Sequence, residues 1–341
     1  MSGTMKAAFF KLPSEVTLRE LPLPEPKAGE VLIRVLACGI CGTDADAFRA
    51  HHADWHRRGH EAAGEVIAVG EGVTKFKPGD LVAIFGSIPC NQCSACKRGE
   101  PRYCAQPRGF GGDAFAQFLC KPSEFLFPIP EFTPEEGALM EPLTVAIDLV
   151  RDGNVRLGSK VLIIGAGPIG LMALRLCREA GASKIYVSQP STSTTRCQLA
   201  LEWGADLILH PDKEDIAERM KRLEPDGIDS VLVTIKPSVG IPQAAQVCAV
   251  GGTIAFVGME WKPEASISLD IDRFHFRKVR LVGSNHNPCS LLYPQAADFL
   301  ARKVIDAQKL VTHRFTLDEI GEAFHLVTQR RSEVGKVIIT A

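Results

Sequence analysis

The sequence predicts an α/β protein in two parts, a small, mostly antiparallel β domain and a parallel sheet covered by helices on both faces. Three observations carry this. Residues 6–36 and 62–130 hold short apolar runs broken by Gly and Pro, the pattern of short strands joined by turns. From about Val145 apolar strands alternate with helical periods, the βαβ rhythm of a parallel sheet. A chain of 341 residues suggests two domains at roughly 150 residues each.

In chain order, Met5-Lys6-Ala7-Ala8 reads as the first strand, with residues 1–4 a short extension before it. Residues 31–36, 66–69 and 81–84 are further strands. The segment 41–59 is polar and rich in His and Arg, and reads as helix plus loop. Residues 161–164 form a fully apolar strand, and a helix over 168–180 places Ile169, Met172, Ala173 and Leu176 on one face. Gly181 suits its C-terminal end. Strands are expected at 185–187, 207–209, 230–233, 253–257 and 279–282, with helices at 195–203, 215–223 and 239–250 between them. The tail from Asn285 reads as two helical stretches and a closing strand, 336–340. The expected division is 1–143, 144–284 and 285–341.

Composition excludes several classes. The formal charge of −1 argues against a nucleic-acid binder working by bulk electrostatics. No run approaches the roughly 18 apolar residues of a membrane span. The start lacks an apolar segment with a small-residue cleavage site, so a cytoplasmic location is expected. Four of the eleven Cys fall within residues 90–104; with no secretory leader read, they suggest metal ligands rather than disulfides.

Gly165-Ala166-Gly167-Pro168-Ile169-Gly170 follows a strand and opens a helix. The first Gly permits the tight turn, the second lets the backbone approach a pyrophosphate, and the third lets helix pack on strand. The helix N-terminus then offers unpaired N–H groups to the phosphates. The residue placed to meet the adenosine ribose is Gln189, 24 positions after Gly165. Gln repels no 2′-phosphate, and Arg196, Ser188, Ser191 and Thr192 stand near it. NAD and NADP therefore both remain open, with Arg196 either a phosphate ligand or a solvated helix residue.

Cys90-x2-Cys93-x2-Cys96-x7-Cys104 supplies four thiolates on one loop, which completes tetrahedral zinc and leaves no open position. A second constellation is dispersed: Cys41, the pair His60-Glu61, and Glu141. Singly each is weak, since a lone Cys is usually a small hydrophobe.

Taken with Gly59-His60-Glu61, Lys77-Pro78-Gly79-Asp80, Glu141-Pro142-Leu143, Gly204-Ala205-Asp206 and Gly251-Gly252, these motifs resemble the zinc-dependent medium-chain dehydrogenases. The likeness is strongest to the polyol, threonine and butanediol dehydrogenase branch and covers nearly the whole chain. It implies a GroES-like β-barrel catalytic domain, a Rossmann domain with a doubly wound parallel sheet, and a C-terminal segment returning to the catalytic side. It implies two zincs per chain and NAD or NADP. The catalytic zinc would be held by Cys41 and His60, with Glu61 and Glu141 sharing the remaining protein positions. The family's alcohol branch has Cys where Glu141 stands, so Glu141 favours the polyol-like branch. By the same resemblance Thr43 passes the alcohol proton outward, Thr144 packs by the nicotinamide, and the backbone at Val257-Gly258 meets its carboxamide. The alternative is a dinucleotide-binding structural or regulatory protein that has lost catalysis, against which the complete ligand set argues.

Departures from the family pattern are also legible. Asp46 stands where many relatives carry a relay His, and Asp46, His51 or a water chain would replace it. The stretches 41–60 and 104–114 are short, and Thr234-Ile235-Lys236-Pro237 replaces a small turn. Residues 48–58 hold Arg49, Arg57 and Arg58 with three His, suggesting an anionic or polyhydroxylated substrate; the other reading is a solvated basic helix face. Phe48 and Trp55 alternatively form an apolar wall. A homodimer or homotetramer is expected, because 279–282 would otherwise be an apolar exposed edge.

Overall fold

The computed structural model describes residues 3–48, 52–109, 112–260 and 265–341. The chain forms two compact units, residues 1–144 with 287–341, and residues 145–286. Among the described residues no helix is long and apolar enough to cross a membrane.

The first unit opens with the antiparallel hairpin of β1 (Thr4–Leu12) and β2 (Glu15–Pro22). Then come β3 (Glu30–Gly39), α1 (Gly42–Phe48) and β4 (His52–His56). β4 pairs with the free edge of β1, making a sheet of order β2-β1-β4. The expectation of helix plus loop over 41–59 is thus half right. His-Ala-Asp-Trp-His has no apolar alternation, and a long-range partner makes it a strand. Residues 52–56 of the basic segment are accordingly strand and not a helix face.

β5 (Glu61–Val69), β6 (Leu81–Ile84), β7 (Ser87–Ile88), the short α2 (Ser94–Lys97), β8 (Arg108–Gly109), β9 (Phe118–Pro122) and β10 (Leu126–Pro128) follow, then α3 (Pro134–Asp152). β3 carries β5 along its length and β9 on residues 30–34. Val31, Ile33 and Val35 point to one face of it and join Val66, Val82 and Leu119 in one core, as the two-residue period of a strand requires.

The second unit holds β11 (Lys160–Ile164), α4 (Pro168–Glu179), β12 (Lys184–Ser188), α5 (Thr194–Glu202), β13 (Leu207–Leu209), α6 (Ile216–Leu223), β14 (Ile228–Val233), α7 (Pro237–Val247), β15 (Cys248–Phe256), α8 (Ile271–Arg277) and β16 (Arg280–Gly283). All its strand pairs are parallel, in the order β13-β12-β11-β14-β15-β16. Counted from β11 this is 3-2-1-4-5-6, the doubly wound order whose ligands lie beyond the C-terminal strand ends. One boundary is corrected. The helix expected over 239–250 starts at Pro237, which suits a first helical position, and stops at Val247, because Cys248 already pairs with Ile228.

The tail returns to the first unit as α9 (Tyr293–Ala301), α10 (Ala307–Leu310), β17 (Val311–Thr316), α11 (Ile320–Gln329) and β18 (Lys336–Thr340). The expected two helices and one strand are therefore three helices and two strands. β17 runs parallel to β18, and β18 joins β3 at Cys38 and Gly39. Phe324 of α11 packs 4.8 Å from Phe10 and 5.0 Å from Phe48, ring centre to ring centre. Phe48 is thus core and not a cleft wall.

Candidate active site

Cys41 precedes α1, and His60 and Glu61 stand at the start of β5, opposite Gly39 of β3. This pairing brings the loop before α1 beside the β5 start. The ligand atoms of Cys41, His60 and Glu61 lie within 4.8 Å of one another, with Glu61 buried and the other two partly exposed. Thiolate, imidazole and carboxylate are the donor types zinc takes, and three of them leave a position open.

Asp44 shapes this set and was not singled out from the sequence. It is buried, its Oδ2 accepts from the Cys41 N–H at 3.2 Å, and its Oδ1 lies 3.7 Å from His60 Nδ1. At 3.7 Å the carboxylate acts on the ring by charge and not through a hydrogen bond. Burial opposes charge on His60, but Asp44, Cys41 and Glu141 outweigh it and hold its pKa well above the ordinary value. The pocket's negative charge therefore favours a cation.

Lys336 was also missed. It is buried on β18, forms an ion pair with Glu61, and donates to the Ile40 carbonyl at 2.9 Å. Burial and the Glu141 charge push the Glu61 pKa up while Lys336 pulls it down. Glu61 Oε2 is the oxygen that faces the Lys336 ammonium. A Cβ at Gly39 would collide with this carboxylate and with the Lys336 stem, so glycine there admits the pair. The available signal was a lone Lys in an otherwise apolar closing strand.

Glu141 is buried on α3 but is not part of the mutually close set; its Oε1 lies 3.8 Å from where a Cβ on Gly86 would sit. Thr43 lies in the first turn of α1. The Thr144 hydroxyl donates back to the Glu141 carbonyl at 2.6 Å. Asp46 faces Arg331 at 3.7 Å. His51 and Arg49 lie outside the described residues. Arg57 donates to the Asp113 carbonyl at 2.5 Å, Arg58 donates to His56 and reaches toward Asp44 at 3.9 Å, and the Arg19 guanidinium lies over the Trp55 ring. Arg57 and Arg58 thus meet protein groups. Beside His60 is a small hollow, partly open to solvent, whose wall includes Phe85, Gly86, Asp113 and Lys121. Buried Lys121 pairs with Asp113 at 2.7 Å.

The four-cysteine loop closes on itself around α2. Sulfur separations of 3.4 Å (Cys90–Cys104), 3.9 Å (Cys93–Cys104) and 4.0 Å (Cys90–Cys96) bracket the roughly 3.8 Å edge of a tetrahedron with Zn–S near 2.3 Å. Backbone N–H groups bring the Cys93 thiol down to about 6 and lower Cys90 also, while burial pushes Cys96 up to about 12.

In the second unit, Gly165 has φ +105°, and a Cβ on Gly170 would strike the Gly165 carbonyl. Nothing lies within 4 Å of a Cβ on Gly167, so the backbone there is open to a pyrophosphate. Pro168 and Ile169 begin α4. Gln189, just beyond β12, uses Oε1 to accept from the Ala166 N–H at 2.7 Å. Arg196 is buried on α5 and not a solvated helix residue. Val257 donates its N–H to Val233 at 3.0 Å.

Residues 27–131 match the family described as "Alcohol dehydrogenase GroES-like domain", and residues 168–302 match "Zinc-binding dehydrogenase". Sorbitol dehydrogenase of Bacillus subtilis is 32% identical, with 98% of this chain and 97% of that protein covered. L-threonine 3-dehydrogenase of Pyrococcus furiosus is 32% identical over 94% of each chain. A solved structure from Sinorhizobium meliloti 1021, bound to NADP, superposes with TM-score 0.88 at 29% identity, covering 99% of this chain and all of that one.

Proposed function

The chain belongs to the zinc-dependent medium-chain dehydrogenase family, and on that premise we propose that Cys41, His60 and Glu61 hold its catalytic zinc, that Glu141 exchanges with Glu61, and that the substrate is polyol-like. The protein is an oxidoreductase that uses zinc and NAD(P) to interconvert a secondary alcohol and a ketone. The observation that carries the site assignment is the mutual approach of the Cys41, His60 and Glu61 ligand atoms.

When bound, zinc supplies Lewis acidity at an alcohol oxygen and the dinucleotide supplies the hydride acceptor. The chain's residues supply the rest. Asp44 places a negative charge behind His60. Lys336 holds Glu61 by charge. Thr43 takes the alcohol proton at its hydroxyl oxygen. Gly165, Gly167, Pro168, Ile169 and Gly170 form the pyrophosphate cradle. Cys90, Cys93, Cys96 and Cys104 hold a second, structural zinc in a closed set.

A homodimer or homotetramer is part of the proposal. β16 is the outer strand of its sheet, and Ile271 and Phe276 of the preceding α8 are 73% and 75% exposed; an edge of this kind invites pairing. Eleven free cysteines fit a reducing, cytoplasmic setting. The test is a panel of polyols, amino alcohols, hydroxy acids and sugar phosphates with NAD and NADP, followed by reduced-cofactor absorbance, with elemental analysis for zinc. Two zincs per chain and turnover of a polyol are expected. One zinc and no turnover of any alcohol would defeat the reading.

A further inference from the structure

We infer that this protein selects NAD over NADP, and that Asp212, reaching over from the loop after β13, is the group that selects. This rests on the dinucleotide-binding reading above and goes beyond it by choosing between the two cofactors.

Gln189 occupies the position where a sheet of this order meets the adenosine ribose. It is 6% exposed, and its Oε1 accepts from Ala166 N–H in the glycine turn. A backbone N–H can only donate, so the amide orientation is determined. The end left for a ligand is the NH2 group, which donates and carries no charge. Gln189 therefore cannot accept from both ribose hydroxyls as a carboxylate does, and it does not repel a 2′-phosphate.

The negative charge comes from elsewhere. Asp212 Oδ1 accepts from the Ser191 N–H at 2.8 Å and Oδ2 accepts from the Ser191 hydroxyl at 2.5 Å. His210 Nδ1 lies 2.9 Å from the Gln189 carbonyl oxygen. The loop after β13 is thus tied to the loop after β12 at three points. Ser191 offers the two donors a 2′-phosphate would use, and Asp212 already holds both. Those bonds keep the Asp212 carboxyl below the ordinary range, so it is ionised at neutral pH. Arg196 is buried on α5, and Lys213 beside Asp212 is exposed. A 2′-phosphate arriving at Ser191 must displace a carboxylate or lie against it. An unmodified ribose hydroxyl meets no such opposition.

Like charges a few ångströms apart at a surface give a preference on the order of tenfold or more, and salt screens it. The test measures dissociation constants of NAD and NADP on the zinc-loaded protein by quenching of intrinsic fluorescence. NAD should bind about tenfold or more tighter, and the ratio should narrow between low and high ionic strength. Asp212→Asn should tighten NADP by about fivefold to tenfold while NAD moves less than twofold. NADP binding as tightly as NAD, or a ratio unmoved by both Asp212→Asn and salt, overturns the proposal. The wild-type salt series needs no variant, so a poorly folding Asp212→Asn does not block the test. Failure of either dinucleotide to bind overturns the dehydrogenase reading and this inference together. NADP preference with alcohol turnover overturns this inference alone.

Discussion

Replacing Lys336 with Met tests the centre of the proposed site. The two side chains fill similar volume, so packing changes little, but the ammonium is lost. Lys336 and Glu61 side chains are 3% and 1% exposed, so no water replaces it. Breaking one side of a buried pair costs about 3–5 kcal/mol, and the Ile40 carbonyl, left without its 2.9 Å donor, adds about 1 kcal/mol. Part of this is returned when zinc is bound, because the metal charge then faces Glu61. For a unit of about 200 residues, each kcal/mol moves the midpoint by about 2–4 °C, so the zinc-depleted variant should melt about 8–24 °C below the parent. The deficit should shrink on zinc loading, and Glu61→Gln in the same chain should return at least half of it. The assay is circular-dichroism melting of the zinc-loaded and zinc-depleted forms of parent, single and double variants. A loss under about 3 °C in the zinc-depleted form, or a double variant no better than Lys336→Met, would refute the assignment of Lys336 as the counter-charge of Glu61.

Three further outcomes follow from the same structure. Cys41→Ser should remove one zinc and most activity with a midpoint within about 3 °C of the parent, whereas Cys93→Ser should remove the other zinc and lower the midpoint by about 10 °C or more; equal thermal losses in the two variants would contradict the division of labour. Tyr186→Phe removes the 2.6 Å hydrogen bond to Glu224 and should cost about 1.5–3 kcal/mol by urea unfolding at neutral pH. Burial raises the Glu224 pKa, but Lys160 and Tyr186 outweigh it and leave it lowered; this stabilisation is present above the ordinary 4.5 and is lost as pH falls through the folded value, so the gap between variant and parent should close in acid. Phe324→Ala empties the space between Phe10 and Phe48 and should cost about 3–5 kcal/mol, read as a lower denaturant midpoint with an unchanged slope.

The sequence by itself determined what short-range chemistry encodes. Four thiols within residues 90–104 need only one loop to meet, and the turn Gly165 to Gly170 carries its backbone requirements in its own residues. The strand–helix alternation was legible for the same reason, since apolar period is a local property. The dispersed ligands Cys41, His60, Glu61 and Glu141 were recognisable as a family pattern. Their spacing did not say that Cys41, His60 and Glu61 would close into one set. Only the tertiary structure decided the rest. β4 is a strand because β1 has an edge to pair with, β15 takes Cys248 from the end of α7 because β14 is beside it, and β17 forms against β18. Lys336 reaches Glu61 across 275 positions of chain because β18 joins β3 opposite the start of β5. Asp44 faces His60, Gln189 turns its oxygen to Ala166, and Asp212 holds Ser191 through contacts that no sequence period records. Hydrogen bonds and ion pairs between distant segments exist only after the sheets have set the register, which is why the charge arrangement around the site belongs to the fold and not to the motifs.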